Sequence, residues 1–166
     1  MHDVDDLIEL FNRCFELEYQ TRLIKGGIEP IYQPVDDECA YHRIIFTHDY
    51  FSSALHECAH WFIAGEKRRQ CVDYGYWYAP DGRSAEQQRR FQAVEIKPQA
   101  LEWILSVAAG YPFQISFDNL NGETSDAAAF QQAVLQQVQS YHEHGLPPRA
   151  EPFYHALRAF YKNLIL

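Results

Sequence analysis

Tyr41-His42-Arg43-Ile44-Ile45-Phe46, then Ser52-Ser53-Ala54-Leu55-His56-Glu57-Cys58-Ala59-His60-Trp61-Phe62, is the stretch that decides the reading of this chain. The first run joins β-branched and aromatic residues in a short apolar segment and reads as a strand. The second predicts a helix, with Ser52-Ser53 as its N-cap and Gly65 as its stop. A helix carrying Ala54, Leu55, Ala59, Trp61 and Phe62 is apolar enough to be buried. His56 and His60 are four residues apart, so they share one helix face, with Glu57 beside them. Burying two imidazoles and a carboxylate without partners costs several kcal/mol. A shared metal ion removes that cost. The H-E-x-x-H spacing therefore predicts metal ligation by His56 and His60, with Glu57 as catalytic proton carrier.

The remaining sequence sets the frame. At 166 residues the chain is long enough for one domain with a substantial core, read here as a metal-binding catalytic domain over residues 1–166. Helical periodicity runs from Asp5 to Leu17, and weak strands are expected at Thr21–Ile24 and Ile31–Tyr32. Ser84 with Gln87 makes a capping box opening a helix to about Glu95. Pro98 starts or kinks the next helical segment, which ends at Gly110. Further helices are expected over 126–144 and 152–163. The fold class is α+β: mainly helical, with a small β-sheet and a zincin-like strand followed by the H-E-x-x-H helix.

Net charge of −9 argues against broad nucleic-acid binding and against attraction to anionic membranes. Lys67-Arg68-Arg69 is read as a solvated helix exit, where cations are favoured. No apolar stretch approaches a membrane span, and the acidic N-terminus lacks the features of a signal peptide. Cys14, Cys39, Cys58 and Cys71 form no C-x-x-C pair, as expected of free thiols in a cytoplasmic protein.

Two histidines do not complete a metal site. The longer H-E-x-x-H-x-x-G-x-x-H pattern is absent, because Ile63 and Glu66 hold its later positions. His48 lies in the loop before the helix, and His142 and His144 lie on a polar helix where exposure is expected. Glu95, between apolar Val94 and Ile96, is the favoured third ligand; Asp73 and Glu102 stand behind it, the latter readable as a solvated helix residue. The resulting His56, His60, Glu95 set suits Zn(2+) as a Lewis acid in a metallopeptidase-like hydrolase. It equally suits Fe(2+), which leaves neighbouring coordination positions open for dioxygen and substrate. On the pentapeptide alone, zinc hydrolysis is the commoner use.

Several longer blocks alter that ranking. They are Thr21-Arg22-Leu23-Ile24-Lys25-Gly26, Glu29-Pro30-Ile31-Tyr32, His56-Glu57-x-x-His60-Trp61, Asp73-x-Gly75-Tyr76-Trp77-Tyr78-x-Pro80-Asp81-Gly82-Arg83, Val94-Glu95-x-Lys97-Pro98-Gln99-Ala100-Leu101 and Val107-Ala108-Ala109-Gly110-Tyr111-Pro112-Phe113. Through them the chain resembles the bacterial elongation factor P hydroxylases over most of its length. The resemblance implies hydroxylation of a lysine on elongation factor P that has already received a β-lysyl group. It also implies a non-haem metal held by His56, His60 and Glu95. Hydroxylating an unactivated C–H bond needs an oxidant that side chains do not supply, so iron with dioxygen is the expected pair. Asp73, Tyr76, Trp77 and Asp81 are candidate walls of an acidic, aromatic pocket for the cationic substrate. The chain stops on Leu164-Ile165-Leu166, and a short further C-terminal tail is an expectation of the same resemblance.

Overall fold

Asn12 explains how the first helix and the sheet begin together. In the computed structural model, described for residues 1–74, 84–116 and 124–163, helix α1 (Val4–Tyr19) packs along strand β1 (Thr21–Lys25). The Asn12 side chain accepts a hydrogen bond from Leu23 N–H at 2.9 Å, satisfying a donor on an edge strand. Asp3 caps α1 by accepting from Asp5 N–H, and Gln20 ends it in the left-handed region. Leu7, Phe11 and Phe15 turn one face of α1 into the core, where each buried phenyl ring contributes about 2–3 kcal/mol.

Strands β2 (Ile31–Gln33) and β3 (His42–Phe46) complete a sheet of order β1-β3-β2. β1 runs parallel to β3, pairing Leu23 with Ile44, and β2 runs antiparallel to it, pairing Tyr32 with Ile44. Tyr32 also exchanges two backbone hydrogen bonds with Asp73, at 2.8 and 3.0 Å. That bridge ties the chain after the motif helix to the sheet edge.

Helix α2 (Phe51–Ile63) follows β3 and carries the H-E-x-x-H residues. Ala54, Leu55, Cys58, Ala59, Trp61 and Phe62 are its buried side, packed with Phe11, Phe15 and Phe153. Its start differs from the sequence expectation. The N-cap is Tyr50, which offers no side-chain cap, and Ser53 Oγ instead accepts from Thr47 N–H at 3.0 Å. Its end falls where expected: the helix closes at Ile63, with Ala64 as C-cap and Gly65 just beyond it. Arg149 secures that end. Its guanidinium donates to the carbonyls of Trp61, Phe62 and Ala64 at 2.8, 3.2 and 2.5 Å, and lies 4.4 Å from the Trp61 ring. Those are orphan carbonyls of the last turn, satisfied by a side chain from the far end of the sequence. Burial, with Arg69 nearby, lowers the Arg149 pKa to about 10, so it remains a cation at neutral pH. Arg149→Ala is expected to lower stability by about 2–3 kcal/mol, read as an earlier denaturation midpoint. Arg149→Lys should recover little, since one ammonium does not reproduce the fork. An unchanged midpoint in the alanine variant would contradict this account.

Helix α3 (Ala85–Ala109) packs against α2, and helices α4 (Thr124–His144) and α5 (Ala150–Asn163) both pack against α3. The Ser84–Gln87 capping box forms as expected, and Gly110 ends α3 at φ 64°. No new helix starts at Pro98, because α3 continues through it as one element. An interior proline removes one helical hydrogen bond and costs about 3 kcal/mol. Here Val94, whose carbonyl loses its partner, is 40% exposed. Pro98, Gln99, Ala100 and Leu101 are all buried, which offsets the local cost. The architecture is thus mainly helical with one small mixed sheet. All four cysteines are free thiols, and among the described residues no helix is long and apolar enough to cross a membrane.

Candidate metal centre

Two elements build the site. α2 presents His56 and His60 one turn apart, and α3 presents Glu95 opposite them. His60 Nε2 lies 3.1 Å from His56 Nε2 and 2.9 Å from Glu95 Oε1, while His56 Nε2 lies 3.3 Å from Glu95 Oε2. Glu95 is only 7% exposed. Ligand atoms about 2.1 Å from one tetrahedral ion stand roughly 3.4 Å apart. The observed spacings are close to that span, and one ligand atom from each residue lies within 4.8 Å of the others. Two imidazoles and one carboxylate in this arrangement are a donor set suited to zinc or ferrous iron.

The electrostatics are those of tightly coupled buried groups. Burial disfavours a charged His56, yet hydrogen bonds to Glu102 and Glu95 outweigh it and hold the imidazole pKa well above its usual value. Burial likewise disfavours a charged Glu95, but His60 and His56 together keep its carboxyl far below the carboxylate range. Glu57 is different. Burial raises its pKa, Glu95 and Asp73 add to the rise, and the two histidines only partly oppose it.

Glu57 and His60 line a small cavity with Tyr32, Ile44, Trp61 and Asp73, holding about 30 Å³, room for a water-sized molecule. Asp73 is therefore at the site, though not among the clustered ligand atoms. Arg68 holds it through two contacts, of 2.5 and 3.4 Å, and lines the same cavity. This corrects the reading of Lys67-Arg68-Arg69 as a merely solvated exit. Tyr76, Trp77 and Asp81 lie outside the described residues. His48 is held elsewhere, its backbone N–H donating to Gly27 O and its ring against Tyr50, and His142 and His144 are exposed.

Glu102 is the residue that sequence reasoning undervalued. It is not a solvated helix residue: its side chain is 12% exposed, and it accepts a hydrogen bond from His56 Nδ1 at 2.6 Å. The available signal was its spacing from Glu95. Seven residues make nearly two helical turns, so both carboxylates face α2.

A partly buried cluster of two helix-borne imidazoles and a carboxylate from a second helix defines the class as a candidate non-haem metal protein. The family model for elongation factor P hydroxylase (EpmC) matches residues 10–166. The elongation factor P lysine hydroxylase of Haemophilus influenzae is 58% identical over 162 residues, covering 98% of this chain and 91% of that protein. The chain belongs to the elongation factor P hydroxylase family.

Proposed function

We propose that this chain hydroxylates a lysine of elongation factor P in its β-lysylated form, with a ferrous ion held by His56, His60 and Glu95. The observation that carries the reading is the convergence of those three side chains in a chain 58% identical to a protein named for lysine hydroxylation. Iron bound there would supply the redox chemistry with dioxygen that C–H hydroxylation requires and that zinc lacks. The chain's own residues do the rest. β3 and α2 act as a zincin-like strand and motif helix, and residues 1–166 work as one catalytic domain. Glu57, on the cavity beside His60, holds or moves a proton at its carboxylate oxygens. Asp73, fixed by Arg68, offers a carboxylate to an amine of the substrate. Tyr76, Trp77 and Asp81 follow it closely in sequence and are candidates for binding the cationic substrate in this reading. A translation factor as substrate favours a cytoplasmic setting for this chain.

The discriminating experiment is anaerobic purification with metal analysis, followed by reloading the stripped protein with Fe(2+) or Zn(2+). Iron-loaded protein should modify β-lysylated elongation factor P in preference to the unmodified factor and consume oxygen. Activity confined to the zinc form, with peptide cleavage and no oxygen uptake, would return the site to hydrolysis.

Metal uptake should also depend on pH. A cation entering the site displaces the proton that Glu102 and Glu95 hold on His56, whose pKa is raised. Apparent affinity therefore rises with pH through the neutral range, levelling once that proton is gone. Glu95, with its pKa depressed, stays ionised throughout and adds no dependence there. Calorimetry in buffers of different ionisation enthalpy should detect proton release at neutral pH; binding without proton release would contradict the coupling.

A further inference from the structure

Both ring nitrogens of His56 meet carboxylates of the same helix. Glu95 Oε2 stands 3.3 Å from Nε2, and Glu102 Oε1 stands 2.6 Å from Nδ1. The continuity of α3 through Pro98 makes this possible, since it keeps residues 95 and 102 on one face. A buried carboxylate is costly unless paired. Among the described residues, His56 is the hydrogen-bond partner of Glu102. The pairing therefore commits a charge to one ring atom, the nitrogen that points away from the three-residue cluster.

We propose that Glu102 is a positioning residue that acts through His56. By accepting the Nδ1–H it fixes the tautomer and ring orientation, leaving the Nε2 lone pair aimed at the space shared with His60 and Glu95. Its negative charge also makes His56 a stronger donor to a cation. This inference rests on the metal reading above. It assigns Glu102 no contact with the ion or with substrate.

The alternative is an ion pair that only holds α2 to α3. Two variants separate these roles. Glu102→Met removes both charge and acceptor, while Glu102→Gln keeps a carbonyl oxygen for Nδ1–H and removes only the charge. Each is titrated with Co(2+) against a chromophoric chelator, alongside the visible absorption of bound Co(2+) and the unfolding midpoint of the metal-free protein. Glu102→Met should bind Co(2+) about 10–100-fold more weakly, with altered absorption bands. Glu102→Gln should recover part of that loss and remain below wild type. If the methionine variant does not fold, the glutamine variant decides by the same affinity and spectrum. Wild-type affinity and spectrum in the folded variants, whatever their unfolding midpoints, would overturn the proposal. Wild-type protein that binds no Co(2+) would overturn the metal reading itself, which separates the two failures.

Discussion

His60→Ala is expected to abolish metal uptake and hydroxylation together. The imidazole removed is the one nearest Glu95, at 2.9 Å, and it also faces His56 Nε2 at 3.1 Å. Its loss leaves two of three ligands, and affinity should fall by more than the roughly 100-fold upper range for losing an outer-shell partner. Stability of the metal-free protein should fall as well. His60 helps hold the Glu95 pKa down, so the pair stabilises the fold above the ordinary carboxylate range and loses that contribution as pH drops. The His60→Ala deficit should therefore be visible at neutral pH and shrink in acid. His56→Ala should match it in metal loss and additionally leave Glu102 without its partner. Metal analysis and denaturation on the same preparations check both halves; a variant that retains metal at wild-type affinity would contradict the ligand assignment.

Glu57→Gln is the second large effect, and its signature is the opposite. The metal should stay bound, because the Glu57 side chain is outside the clustered ligand atoms. Turnover should fall by about 10²–10⁴-fold, the usual scale for losing a positioned proton carrier. Glutamine keeps the size of the side chain on the cavity wall but neither takes nor releases a proton. Burial supports the assignment by raising the Glu57 pKa toward the range where a carboxyl can do both. Stoichiometric iron with strongly reduced hydroxylation is the expected pair of results. Full turnover in the variant would reduce Glu57 to a packing role.

The contrast between Glu95 and Glu102 shows where sequence reading succeeds and where it stops. Glu95 was legible because a carboxylate between Val94 and Ile96 is anomalous unless it has a partner. The β3–α2 pair, the Ser84 cap and the Gly110 stop were legible for local reasons, each resting on residues within a few positions of one another. Glu102 was hidden by Pro98. A helix broken there puts the two glutamates on separate segments, and their seven-residue register carries no meaning. Burial of Pro98 and its neighbours overrode the local penalty, and that burial comes from tertiary packing. The end of α2 was legible from Gly65, but the side chain that secures it was not: Arg149 is more than eighty residues away in sequence. Arg68 was likewise read as an exit charge, because its pairing with Asp73 depends on the bridge to Tyr32.

The central claim is that His56, His60 and Glu95 hold the iron with which this chain hydroxylates elongation factor P. Its most direct test is the intact mass of β-lysylated elongation factor P after incubation with iron-loaded protein and oxygen, alongside His60→Ala. The account predicts a gain of one oxygen atom on the modified lysine, dependent on iron and oxygen and absent with the variant. The same gain with metal-stripped protein or with His60→Ala would contradict it.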